Sequence, residues 1–217
     1  MKTAFLLIFS FILLGAEVPE KTNSTWKKVK DSDGIVVYTQ TSDSTDLKRV
    51  KVLTEARAPL SSMVALIKDV KNQKNWFYMY KGGEILKVFG PKHWIFYGQA
   101  NAPWPVTDRD FVTDVVLHQC PETKVVTITS HSLPDYYPKQ KDFVRVPYAY
   151  SQWTFTPQKD GNVKISLIVE INAGGHIPLW VMNITATKGP FHTMKNFLAE
   201  LKKEKFARIS DSCISEP

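Results

Sequence analysis

Neither a helix nor an inner β-strand can run through Pro103-Trp104-Pro105, because each proline lacks a backbone N–H and fixes its own φ. The chain has to turn there. Directly after the turn stand three charges, Asp108-Arg109-Asp110, and then the β-prone run Phe111–Leu117. With side chains alternating along a strand, Arg109, Phe111, Thr113, Val115 and Leu117 share one face, and Asp110, Val112, Asp114, Val116 and His118 share the other. The second set carries carboxylates and a histidine, which assigns it to solvent and points Arg109 inward. A buried guanidinium requires a partner, and Asp108 or Asp110 is the nearest. Two roles fit such an arginine: a clamp that starts the strand, or a contact to a ligand.

The rest of the chain reads as strands closed by helices. Asp33-Gly34 signals a turn ahead of the strand Ile35–Thr39, and Leu47–Ala56 is a second strand with one side in water. Pro59 suits a first helical position, and Leu60, Met63, Val64, Ile67 and Val70 recur at helical spacing, which predicts a helix to about Gln73. The aromatic run Trp76–Tyr80, ended by Gly82-Gly83, is assigned to core packing. Further strands are expected at Glu84–Phe89, His93–Asn101, Phe111–His118, Val125–Ser130, Val144–Thr156 and Val163–Asn172. The last alternates most clearly, with Val163, Ile165, Leu167, Val169 and Ile171 on the buried side. Pro134–Pro138 is a loop that exposes Tyr136 and Tyr137. Pro178 opens a final helix, which Gly189-Pro190 interrupts or kinks. Beyond it Phe191, Met194, Phe197, Leu198 and Leu201 form an apolar stripe opposite His192, Lys195, Asn196, Glu200 and Lys203. Strands, a helix, a long antiparallel run and a C-terminal helix make an α+β domain.

A chain of 217 residues holds one sizeable domain. Its ends read differently from its middle. Lys2 followed by the apolar run Ala4–Leu14 and the small pair Gly15-Ala16 has the form of a signal peptide over residues 1–16. That run falls short of the ~20 apolar residues of a spanning helix, so the protein is expected to be exported and soluble, periplasmic or secreted. Residues 17–25 are a polar lead-in, 26–206 the domain and 207–217 a flexible tail. Cys120 and Cys213 are the only cysteines, and an oxidising compartment permits a bridge between them without requiring one. The net charge of +7 is spread along the chain, without the basic-aromatic groove of a nucleic-acid binder.

Two segments carry a resemblance to a known family. Pro103-Trp104-Pro105-Val106-Thr107-Asp108-Arg109-Asp110-Phe111-Val112 resembles the PWP…RDFV signature of START-type lipid-transfer domains, in particular bacterial members. Asn172-Ala173-Gly174-Gly175-His176-Ile177-Pro178-Leu179-Trp180 resembles the Asp-Pro-Gly-Gly-x-Ile-Pro-x-Trp segment before the last helix of that family, with Asn172-Ala173 in place of Asp-Pro. The order and spacing agree from about Trp26 to Phe206. The resemblance implies a helix-grip fold, a curved antiparallel sheet wrapped around the long C-terminal helix with an internal hydrophobic cavity. It also implies a carrier of a lipid or other hydrophobic small molecule, working without a cofactor, as a monomer and in transient contact with membranes. Members that mark the pocket with a buried acid–arginine pair carry that arginine further along the strand. Here the strand reads Asp114-Val115-Val116, so that contact does not transfer.

The residues expected to line the cavity and its gate are Arg109, Phe111, Val115, Arg145, Trp153, Phe155, Leu167, Val169, His176, Trp180, Met194 and Phe197. Arg109 or Arg145 would orient a polar end, and Trp180 with the Gly174-Gly175 loop would form the gate. The five histidines stand apart, with no metal-ligand spacing. No Gly-x-Ser-x-Gly elbow, P-loop or dinucleotide fingerprint occurs. An enzyme on the same scaffold would need an inward acid or base such as His176 or Glu170. A structural or partner-binding envelope protein would need only a core packed to normal density.

Overall fold

In a computed structural model the described residues are 25–41, 47–207, 209 and 211–217, and of residues 179, 180, 182–186 and 207 only the backbone is described. The expected signal peptide and most of the polar lead-in lie outside them. The first strands are β1 (Lys27–Ser32), β2 (Ile35–Thr41) and β3 (Lys48–Ala56). Helix α1 (Leu60–Lys68) and a 3-10 turn at Val70–Asn72 lead into the short α2 (Gln73–Trp76). Then come β4 (Tyr80–Gly90), β5 (His93–Ala100), β6 (Arg109–Gln119), β7 (Val126–Ser132), β8 (Val144–Arg145), β9 (Tyr148–Pro157) and β10 (Val163–Asn172). The long α3 (Leu179–Leu201) and the short α4 (Glu204–Ala207) close the chain.

The strands form one open, curved sheet in the order β1-β2-β3-β10-β9-β7-β6-β5-β4, with β8 added in parallel beside β6. The last strand inserts next to the third, where β10 pairs with β3 from Val163 opposite Ala56 to Glu170 opposite Arg49. This non-local pairing brings the C-terminal helix back over the sheet. Val37, Val50, Val52, Leu117, Val126, Ile128, Phe155, Ile165 and Leu167 point to one face and are buried under α1 and α3. From α3 the stripe Phe191, Met194, Phe197 and Leu201 meets them, as its helical spacing requires. The helix runs on through Gly189-Pro190 to Leu201, so the expected interruption there does not occur.

Several expected features take a different form. The helix from Leu60 ends at Lys68, because Asp69 adopts an extended ψ and its carboxylate accepts the N–H of Asn72 at 3.3 Å, starting a new turn. The strand expected over Val144–Thr156 divides at Val146-Pro147: the N–H groups of Val144 and Val146 bond to the carbonyls of Asp108 and Asp110, and Pro147 has none to continue with. Glu200, expected on the wet side of α3, is buried and accepts the Asn72 amide at 3.0 Å. Of the two tyrosines expected in the open, Tyr136 is exposed, whereas Tyr137 packs on Tyr97 with ring centroids 5.1 Å apart.

The C-terminal residues are also anchored where a flexible tail was expected. The Glu216 carboxylate accepts the backbone N–H groups of Leu60 and Ser61, both at 2.9 Å, and so caps α1 from a distance of more than a hundred residues in sequence. Lys68 pairs with Asp211 at 2.8 Å, and the Gln119 amide bonds both the carbonyl and the N–H of Ser215, at 2.7 and 2.9 Å. Helix α1 begins at Leu60, with Pro59 as the extended residue before it rather than in its first position. It has no acid in its own first turn, so the tail supplies the anion that its N-terminus favours. Cys120 and Cys213 are both free thiols.

Candidate functional site

The inner face of the sheet between β4 and β6 is shaped by two glycines. Gly83 stands opposite Gly98, and Gly98 opposite Phe111. A Cβ on Gly98 would lie 2.4 Å from the Phe111 ring, and one on Gly83 would lie 2.3 Å from the Tyr97 carbonyl oxygen and 2.6 Å from the Tyr80 hydroxyl. The Phe111 ring thus occupies the space a side chain at Gly98 would take, and the backbone of β5 with the Tyr80 hydroxyl occupies that at Gly83. Phe96 lies between them, 5.9 Å from Phe111 and 6.4 Å from Tyr80 by ring centroids.

Across the face, β9 contributes Trp153 and Phe155, and α3 lays Phe197 over them at 4.9 and 6.2 Å. Trp76, at the end of α2, meets Trp153 at 6.0 Å and Phe197 at 5.3 Å. Val115, Leu167 and Met194 are buried in the same layer, and Phe111 and Val169 are packed against it. The aromatic contacts close this layer against α3. Two hollows, of about 400 and 290 Å³, lie away from this layer, one beside Arg57 and Glu216 and the other beside Lys92 and Cys213.

Polar atoms in and beside this layer lack partners among the described residues. The indole Nε1 of Trp76, the hydroxyl of Tyr80 and Nε of Arg109 are buried without a hydrogen bond. Burial pushes the Tyr80 phenol up to about 12. The aromatic run Trp76–Tyr80 was readable as core, and Trp76 and Tyr80 are indeed buried. Sequence alone did not reveal that their polar atoms would be enclosed.

The two arginines separate into different roles. Arg145 lies on the outer side with Asp110, which is fully buried rather than facing solvent. Its Nε and Nη2 donate to the two carboxylate oxygens of Asp110 at 3.0 and 2.8 Å, and its remaining donors reach the carbonyls of Pro134, Tyr137 and Pro138. The Asp110 hydrogen bond raises its pKa above the ordinary arginine value. This network closes the loop between β7 and β8 over Ile95, Tyr97 and Val112, a second small core on the outer face. Arg145 therefore has no donor left for the inner face.

Arg109 is inward and buried, as its place in the alternation requires, but it has neither expected partner. Asp110 is taken by Arg145, and Asp108 by Lys81 at 2.8 Å and the N–H of Ala102 at 2.9 Å. The guanidinium donates to the carbonyls of Thr107 and, at 3.3 Å, Gly174. Burial lowers its pKa from the ordinary value, with the Asp108 charge working in the other direction. It thereby ties the loop before β6 to the loop before α3. In that second loop Gly174 and Gly175 have φ of +67° and +65°, a backbone few other residues adopt. His176 is exposed there, and Trp180 lies on the first turn of α3, its side chain outside the described residues.

The model of the START domain matches residues 17–205. The chain belongs to the START domain family. An uncharacterised protein of Pseudomonas aeruginosa is 30% identical over 178 residues, covering 82% of this chain and 87% of that protein. The phosphatidylcholine transfer protein of Bos taurus is 27% identical over 192 residues, 85% of this chain and 86% of that protein. The crystal structure of a STAR-related lipid transfer protein fragment from Xanthomonas axonopodis superposes with a TM-score of 0.75 at 29% identity, covering 82% of this chain and 99% of the fragment. In this START domain the sheet gripping α3 is the helix-grip architecture. Among the described residues no group of His, Cys, Asp and Glu is placed to hold a metal ion, and no helix is long and apolar enough to cross a membrane.

Proposed function

We propose that this START domain binds a single lipid or similar hydrophobic molecule between the inner face of its sheet and α3, and carries it between membranes without a catalytic step. The observation that carries this reading is the aromatic wall formed by Trp76, Phe96, Phe111, Trp153 and Phe155, closed by one helix that hangs on a paired-glycine loop. Burying apolar surface of a ligand there yields about 25 cal/mol per Å². Family membership and the lipid-transfer names of its relatives support the ligand class.

Phe197, on the second half of α3, touches Trp153 and Phe155, so in this reading a ligand enters when α3 as a whole swings away from β9. The Gly174-Gly175 pair is the hinge and Trp180 rides on the moving turn. Trp104 is 89% exposed on the loop before β6, a position from which an amphipathic ring inserts at a membrane surface. The protein is exported and acts as a monomer in this reading, with no nucleic-acid partner.

The test is native mass spectrometry of protein from its own host, followed by lipid transfer between donor and acceptor vesicles. A bound lipid and transfer above the spontaneous rate are expected. A cysteine bridge between the loops 101–108 and 173–178 should slow loading while the fold persists. A protein that co-purifies with no lipid and transfers none overturns the reading.

A further inference from the structure

Arg109 is a buried cation at the rim of the inner face with no carboxylate in ion-pair reach among the described residues. Such a charge is ordinarily destabilising unless an anion meets it. The two nearest anions in sequence are both committed elsewhere: the two oxygens of Asp110 to Arg145, and those of Asp108 to Lys81 and the Ala102 N–H. Its Nε is left without a partner. The loop it holds through the Gly174 carbonyl runs directly into α3, whose first turn has no acidic residue and no side-chain cap. The positive end of a 23-residue helix thus follows the unbalanced guanidinium along the same rim. Two further buried groups without a partner among the described residues, the Tyr80 hydroxyl and the Trp76 indole N–H, can also donate.

Resting on the carrier reading, we propose that Arg109 is the headgroup end of the site and that it selects lipids bearing an oxyanion, a phosphate or a carboxylate. The planar guanidinium offers its Nε and an Nη to two oxygens of one such group. The hydrocarbon then runs inward over Phe111 and Phe96. An uncharged headgroup at this place leaves the guanidinium buried and unbalanced, which is the physical basis of the selection.

The full chain, freed of lipid by organic extraction and refolded, is offered vesicles containing dioleoyl phosphatidic acid or oleate, or the uncharged dioleoylglycerol or oleyl alcohol with the same chains. Lipid bound after separation from the vesicles is measured by mass spectrometry. The expected result is a preference of about tenfold or more for each anionic lipid over its neutral counterpart. Comparing phosphatidic acid with oleate tells phosphate from carboxylate. Arg109→Gln should abolish the preference while neutral lipids still load, and Arg109→Lys should keep part of it. If Arg109→Gln does not fold, the ratio measured on the unmodified chain decides alone. Equal loading of anionic and neutral lipids overturns the headgroup assignment and leaves the carrier reading standing. No loading of any lipid overturns the carrier reading itself.

Discussion

Arg145 and Asp110, 35 residues apart in sequence, meet through two parallel hydrogen bonds of 3.0 and 2.8 Å in a place where both side chains are almost wholly enclosed. The pair joins β8 to β6 and orders the loop that covers the outer face. Removing one partner leaves a buried charge without its complement. Asp110→Leu or Arg145→Leu is therefore expected to lower stability by roughly 3–5 kcal/mol in urea unfolding. The double variant should lose less than the two single losses added together, because neither charge then remains. Simple additivity would show that the residues act independently.

Gly98 should be intolerant of any side chain. A Cβ there meets the Phe111 ring at 2.4 and 2.7 Å and Phe96 at 2.9 Å. Gly98→Ala is expected to cost about 1–3 kcal/mol from overpacking. Adding Phe111→Leu should recover part of that loss by making room. A thermal midpoint unchanged in Gly98→Ala would show that Phe111 turns aside freely.

The tail should contribute to stability through Glu216. Its carboxylate accepts from the N–H groups of Leu60 and Ser61 and from the Ser61 hydroxyl, at 2.9, 2.9 and 2.7 Å. Glu216→Ala should cost about 0.5–2 kcal/mol, the range of a lost N-terminal cap. Truncation after Ser210 should cost more, since the Lys68–Asp211 and Gln119–Ser215 contacts go with it. A truncated chain as stable as the full one would contradict this anchoring.

Tyr80 links stability to alkaline pH. Burial raises its folded pKa to about 12, while an unfolded tyrosine titrates near ~10. Its neutral form is the one held in the fold. The contribution is complete below the unfolded value and is lost as pH rises from there through the folded one. In Tyr80→Phe the fall in stability over that window should be shallower than in the unmodified chain. At neutral pH the same substitution should raise stability by about 1 kcal/mol, because the hydroxyl has no protein partner. A loss of stability at neutral pH would reveal a hydrogen bond that the hydroxyl makes in solution.

Much of the fold follows from local pattern. The alternation from Val163 to Ile171 and the helical stripe Phe191, Met194, Phe197, Leu198 and Leu201 each name a buried side. The structure buries these residues except Val169 and Leu198, which are half-buried, and Ile171, which is 47% exposed near the end of β10. Pro103-Trp104-Pro105 forces the turn, and strand geometry after it directs Arg109 to the inner face. These features depend on backbone sterics and on the periods of strand and helix, which any short window of sequence contains. What lay beyond the sequence was partnership across the chain. It could not disclose that Asp110 belongs to Arg145, that Asp108 belongs to Lys81, or that Glu216 caps a helix begun at Leu60. A charge adjacent in sequence is a poor guide to its ion-pair partner, since successive strand residues point to opposite faces. The nearest carboxylates to Arg109 were therefore the wrong ones. Only the tertiary structure, by engaging each of those acids elsewhere, left Arg109 inward with no carboxylate in ion-pair reach among the described residues.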